Sequence, residues 1–475
     1  MKKIKFKKVT KKEKKRLLQF ALMLGMGLAI ITIVAFIIVG GSKVEDVQPK
    51  KQVTENSEAP YTTTMRIALV DADNDIYRNS VSIYNQAGDF YNSYSTDAAE
   101  VGEIVTLESG EVNGISTAGI IIGDENGNMS NPYQGKLEIW FLQDGIVVVN
   151  ELDIEEYLKH VVASEMPESF GLEALKAQAV CARTYAYKHS NKYAYPEVNA
   201  NMDDTVSFQV YNKNVGSTTI ISAVEGTTGI IIVNKDTGKP IDALYFSTSC
   251  GITQDGKIMG EDLDNTVLAG VYVGVKDEDM ADYDIYSAFN IEEYIKDRDK
   301  NALETDAKYY RWNTTMDKNG CRDALVSKLI DISEKEGAIQ CDEEFYEILM
   351  SNNKSVGSLK SIGISERATT GAVTKLTCSF DEGTIDVIGQ LNVREVLGAS
   401  TRNIDLNDGS EISADMLPSA IIAIEDKGDY YVIYGGGYGH GCGMSQNGAR
   451  MLASQGLGYE EILRYFYHNS SIVSY

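Results

Sequence analysis

Two stretches of the chain bring together residue types that do chemistry. The first runs from Val161 to Tyr187, VVASEMPESFGLEALKAQAVCARTYAY, and places the acid Glu165 at the end of an apolar helical pattern. Leu158, Val161, Val162 and Glu165 recur at steps of three and four, so the carboxyl lies on the apolar stripe of its own helix. Burial disfavours the charged form and raises a carboxyl pKa, which suits a general acid near neutral pH. The bland alternative is an ion pair with Lys176 or Arg183. The second stretch, Gly435 to Gln446, reads GGGYGHGCGMSQ and has six glycines in nine positions. Such density costs backbone entropy and implies positive φ angles or the close approach of a ligand or another backbone. It lacks the lysine of a phosphate loop. It contains His440, one of only four histidines, with Cys442 two residues on. A thiol hydrolase needs nucleophile and base within about 3 Å. In an extended segment these two side chains share a side but stand too far apart to touch.

The elements that must position these residues can be read from periodicity. From Met65 to Asn150, MRIALV, SVSIYN, IVTLES, GIIIG, LEIWFL and GIVVVN are short β-branched and aromatic runs between turn residues, which predicts strands. Asp153 to Glu156 has capping-box spacing and opens the helix that Pro167 stops. A second helix is expected from about Leu172 to Lys188, its small residues allowing another backbone to come close. TTIISAV, TGIIIV and ALYFSTS then read as strands, followed by an acidic, turn-rich region over 255–306. Residues 309–350 read as mostly helical; SIGISE, VTKLTCSF and TIDVIG read as strands, with a short helix around Val393 to Leu397. Segregated strands and helices make this an α+β fold.

Composition bounds the partners. The net charge is −25, and since residues 1–16 carry ten bases against one acid, the remainder carries −34. So acidic a surface repels nucleic acid and anionic lipid. Residues 17–41 contain no charge and are long enough to span a bilayer. The expectation is a basic cytoplasmic segment over 1–16, a transmembrane helix over 17–41, a flexible linker over 42–60, a strand-rich region over 61–134 and a larger mixed region over 135–475. The protein is then anchored in the cytoplasmic membrane by a single pass, its C-terminal region lying outside it. Six cysteines include no metal knuckle; Cys321 and Cys341 flank one helical pattern and are candidates for a disulfide.

The run VVNELDIEEYLKHVVASEMPESFGLEALKAQAVCARTYAY, with FQVYN, YFSTSCGIT and GYGHGCGMSQNGA, resembles the stage II sporulation protein D family of peptidoglycan lytic transglycosylases and amidase enhancers. Matching segments span about 135–475, with the acidic stretch near 255–306 resembling an insertion. The resemblance implies that Glu165, in Ser-Glu-Met-Pro, is the catalytic acid at a helix end in a groove. Its substrate would be the bond between N-acetylmuramic acid and N-acetylglucosamine in glycan strands stripped of stem peptides, cut during spore engulfment or wall remodelling. Candidate substrate-binding residues are Gln178, Arg183, Gln209, Tyr211, Ser247, Ser249, His440, Ser445 and Gln446, each equally usable as an internal hydrogen-bonding group. Some relatives bind zinc through Cys or His just before the Gln-Val-Tyr segment, where this chain has Phe208, and often carry His where it has Phe246. No metal or other cofactor is therefore expected, although Cys250, Cys442 and His440 leave a different zinc site open. The amidase-enhancer branch implies an alternative: a glycan-binding activator whose partner is a cell-wall amidase.

Overall fold

The computed structural model describes residues 61–71, 75–97, 99–108, 119–124, 127–260, 263–274, 291–296, 302–351, 353–401 and 403–475. The segments expected over 1–16, 17–41 and 42–60 lie outside the described residues. Two expectations are corrected. Among the described residues no helix is long and apolar enough to cross a membrane. The described residues form a mixed helix and strand fold, and neither the transmembrane helix nor single-pass anchoring in the membrane is supported.

The first body starts with strands β1 (Thr64–Leu69), β2 (Ser80–Tyr84), β3 (Phe90–Ser95), β4 (Ile104–Glu108), β5 (Ile121–Gly123), β6 (Lys136–Leu142) and β7 (Gly145–Asp153). β7 runs without a break into helix α1 (Ile154–Glu165), because the Asp153 carboxylate caps the Glu155 N–H at 2.8 Å. Only half of the expected capping box forms, since Glu156 pairs with Lys159 instead of reaching back. After Pro167 comes α2 (Leu172–His189), then β8 (Met202–Asp203), α3 (Thr218–Glu225), β9 (Ile230–Asn234) and β10 (Tyr245–Phe246). A five-stranded sheet in the order β4-β6-β7-β1-β8 backs the helices, and β3-β2-β5 forms a smaller sheet.

TTIISAV, expected as a strand, is α3. Ser217 caps its start by accepting from the Ile220 N–H, and burying Ile220, Ala223 and Val224 against α1 and α2 outweighs the β-branched propensity. α2 is the hub of this body: Ala174, Leu175, Ala177, Ala179, Val180, Ala182 and Ala186 are buried, and its small residues admit α1, α3 and β9 on different sides.

The second body starts with helix α4 (Ile291–Lys296) and holds β11 (Trp312–Asp317), α5 (Arg322–Ser333), β12 (Ile339–Gln340), α6 (Glu343–Ser351), β13 (Leu359–Arg367), β14 (Val373–Phe380), β15 (Thr384–Ile388), α7 (Gln390–Gly398), β16 (Ile404–Leu406), β17 (Glu411–Ile412), β18 (Ile422–Asp426) and β19 (Tyr430–Gly435). The expected helical stretch over 309–350 is thus interrupted by β11, whose Trp312, Thr314 and Met316 alternate inward with the period of a strand. Its hydrophobic core is separate from the one under α1 and α2. The chain returns to the first body through β20 (Met444–Ser445), α8 (Gln446–Ser454), α9 (Tyr459–Phe466) and β21 (Ser470–Ser474). β20 pairs in parallel with β10, and β21 pairs antiparallel with β9. Tyr187, near the end of α2, stacks on Tyr475 at 4.5 Å and on Tyr61 at 4.9 Å.

Candidate active site

Glu165 is the last residue of α1. Met166 turns to extended backbone (φ −134°, ψ 127°), so the chain leaves the helix at once and Pro167 cannot continue it. The carboxyl accepts from the Val210 N–H at 2.8 Å, and two further donors, the Tyr245 hydroxyl and the Gln446 side chain, stand close enough to favour its anion. Burial pushes its pKa up, and the three donors pull it partly back, with burial the stronger. Behind Tyr245 stands a directional relay: the Tyr157 hydroxyl donates to Gln209 Oε1 at 3.3 Å, and Gln209 Nε2 donates to the Tyr245 hydroxyl at 3.1 Å. Gln446 Nε2 also donates to Gln178 Oε1 at 3.4 Å, whereas the buried Gln178 Nε2 has no hydrogen-bond partner among the described residues. A cavity of about 250 Å³ has Lys188, Lys192, Asp242 and Asp264 in its lining and does not include Glu165.

The glycine-rich loop is the path by which Gln446 arrives. It leaves β19 of the second body and joins β20 of the first. Gly443 has φ +82°, and a Cβ there would lie 1.9 Å from the Leu244 carbonyl oxygen, so only glycine permits β20 to close on β10. His440 is a strut in this loop: Nδ1 accepts from the Cys442 N–H at 3.1 Å, which leaves the proton on Nε2 to donate to the Tyr245 carbonyl at 3.0 Å. Burial lowers its pKa to about 4. With both nitrogens engaged by backbone, it does not fit a zinc site with Cys250 and Cys442. All six cysteines are free, so the proposed Cys321–Cys341 disulfide does not form.

Ser249 and Ser445 converge on a residue that sequence reasoning passed over, Glu304. Its fully buried carboxylate accepts from the Ser249 N–H (2.9 Å), the Ser249 hydroxyl (2.6 Å) and the Ser445 hydroxyl (2.9 Å). Ser247 is nearby in chain but differently used: its carbonyl accepts from Asn447, and its hydroxyl meets that of Thr248 at 3.1 Å.

The remaining two candidates lie elsewhere. Arg183 is fully buried, grips both oxygens of Glu155 at 2.6–2.7 Å, and donates to the Val224 and Ile230 carbonyls, tying α2 to α1, α3 and β9. Tyr211 is buried with its hydroxyl on Asn150 Oδ1 at 2.7 Å and its ring 4.9 Å from Tyr157. The structure thus gathers Glu165, Gln178, Gln209 and Gln446, adds Tyr245 and the Val210 N–H, and sets Arg183 and Tyr211 to structural work. Tyr245 was within reach of sequence reasoning, since it stands in ALYFSTS beside the serines singled out there. Glu304 had no such signal: it is one acid among many in an acidic stretch.

A mixed-fold body in which a glycine-rich loop leads to a half-buried carboxyl at a helix end is the class this site defines. Residues 142–234 match the model of the SpoIID family, described as stage II sporulation protein. It is 28% identical over 365 residues to an uncharacterized protein of Brachyspira hyodysenteriae, a match covering 76% of this chain and 78% of that one. It is likewise 28% identical over 323 residues to the amidase enhancer of Bacillus subtilis, covering 67% of this chain and 40% of that protein's length. It is 25% identical over 338 residues to stage II sporulation protein D of Bacillus subtilis, covering 68% and 75% respectively.

Proposed function

We propose that the protein is a lytic transglycosylase acting on peptidoglycan glycan strands, with Glu165 as its catalytic residue. The observation that carries this reading is the Glu165 carboxyl: its pKa is raised by burial, yet three donors stand ready to stabilise its anion once the proton has left. Ordinary glycosidases need a second carboxylate to act as nucleophile or to activate water. Here one suffices if the C6 hydroxyl of the N-acetylmuramic acid attacks its own anomeric carbon. Glu165 gives its proton to the departing glycosidic oxygen as the bond breaks; the C6 oxygen closes the 1,6-anhydro ring and its proton goes to the Glu165 carboxylate. The acid is regenerated and no water is consumed.

A second reading is favoured by the relative named amidase enhancer: a protein that binds strands and speeds a separate cell-wall amidase without cutting glycan itself. Mass spectrometry of peptide-free strands incubated with the purified protein separates the two. Disaccharides ending in 1,6-anhydro-N-acetylmuramic acid are expected from the wild type, with the rate cut by about 10²–10⁴ in Glu165→Gln. No products from either protein, with strand binding retained, sinks the first reading in favour of the second.

A further inference from the structure

Glu304 is a fully buried carboxyl that the proposed chemistry leaves unused. It comes from a turn whose backbone is pinned to its surroundings, with the Leu303 N–H on the Val273 carbonyl at 3.1 Å and the Ala307 N–H on the Glu304 carbonyl at 2.8 Å. From there its carboxylate reaches two separate segments. One is Ser249, four residues past Tyr245. The other is Ser445, the N-cap of α8, whose hydroxyl also accepts from the Gly448 N–H and the Ser249 N–H, both at 3.2 Å. Gly448 is required by the same arrangement, since a Cβ there would stand 3.0 Å from Glu304 Oε1 and 2.9 Å from the Phe466 ring. The segments so joined carry two of the three donors to Glu165: Tyr245 precedes Ser249 and Gln446 follows Ser445 directly.

We propose that Glu304 is a positioning residue, whose buried carboxylate locks the start of α8 to the Ser247–Ser249 segment and thereby holds Gln446 and Tyr245 on the Glu165 carboxyl. The proposal rests on the reading of Glu165 as the acid. Three donors converge on Glu304, and an ionised carboxylate, which only accepts, satisfies all three. A protonated carboxyl must itself donate, so one of the serine hydroxyls has to turn round and accept, which changes the bonds it makes to its own segment. Burial raises the Glu304 pKa to about 7, so this exchange falls within an ordinary working range. The other charged and titratable groups that face it are Arg450, which holds Asp306 at 2.6 Å, Cys250, and Tyr465, whose hydroxyl donates to the Tyr272 carbonyl. Arg450 is permanently charged, and burial keeps the Cys250 thiol and the Tyr465 phenol neutral, so Glu304 is the member of the cluster that changes state near neutrality.

Glu304→Gln keeps the shape but replaces one acceptor oxygen with a donor. Hydrogen–deuterium exchange on the full chain should then show the Ser249 and Gly448 amides exchanging at least tenfold faster, with the α1–α2 hairpin unchanged. Ser445→Ala, which removes a single partner, should loosen the same amides less. In the strand-cleavage assay, kcat should fall at least tenfold while KM stays within twofold. The wild-type acid limb near pH 7, where Glu304 protonates, should vanish in Glu304→Gln. Unchanged exchange in both variants, or exchange raised uniformly through α1 and α2, overturns the proposal. If the wild type cuts no strands, the transglycosylase reading fails on its own; local loosening would still establish the lock, and its absence would still refute it.

Discussion

Replacing Arg183 with methionine tests whether this arginine is a strut or a substrate ligand. The side chain is fully buried, and its guanidinium makes two charge-assisted bonds to Glu155 and two bonds to backbone carbonyls. Methionine fills much of the volume but leaves the Glu155 carboxylate with the Gly229 N–H at 3.2 Å and takes one donor each from the Val224 and Ile230 carbonyls. Breaking a buried ion pair by removing one partner costs about 3–5 kcal/mol. Glu155 keeps 20% of its side-chain exposure and can be partly rehydrated, which places this case at the low end, about 3 kcal/mol. That is more than about a hundredfold in the unfolding equilibrium. Urea titration followed by circular dichroism should show a lower midpoint at unchanged slope, and Arg183→Lys, which keeps the charge but loses the planar fork, should fall in between. A midpoint within experimental scatter of wild type, combined with weaker binding of glycan strands, would refute the strut and return Arg183 to the substrate.

Two further outcomes are expected. Glu304 holds its proton in the folded state up to about pH 7 but gives it up near the ordinary 4.5 once unfolded. Its contribution to stability is therefore complete below about pH 4.5 and is lost as pH rises through 7. Glu304→Gln lacks this dependence and should gain about 3 kcal/mol on wild type between pH 4.5 and 8, read by urea titration at several pH values; a difference that stays flat contradicts the burial argument. Iodoacetamide should leave strand cleavage intact and label at most Cys341 in the native protein. The other five thiols are buried, with burial lifting Cys181 and Cys378 to about 12. Loss of activity on labelling Cys250 or Cys442 would instead point to thiol chemistry.

The parts of this molecule that a sequence reader reaches are those written in local pattern. The end of α1 at Glu165, the extent of α2 and six of the seven strands from Thr64 to Asp153 follow from periodicity and from Pro167, because each is decided by near neighbours in the chain; β3, FYNSYS, with few apolar residues and an exposed face, is the one not read. TTIISAV misleads for the complementary reason: its β-branched residues favour a strand, while the Ser217 cap and the packing surface of α2, far away in sequence, make a helix. Arg183 and Tyr211 have the polarity of ligands, and only their burial and their partners, Glu155 and Asn150, show where that polarity is used. Glu304 is the extreme case. Its partners lie 55 and 141 residues away, so nothing in the acids around it marks it out.

The pairing of β21 with β9 bears on the order in which the chain is made. Synthesis delivers β9 long before residues 470–475, so until they emerge that strand keeps an open edge and Tyr187 lacks one of its two stacking partners. Gln446 arrives nearly as late. A partly made chain therefore holds Glu165 of α1 but not yet Gln446, and the edge of β9 closes only when β21 pairs with it.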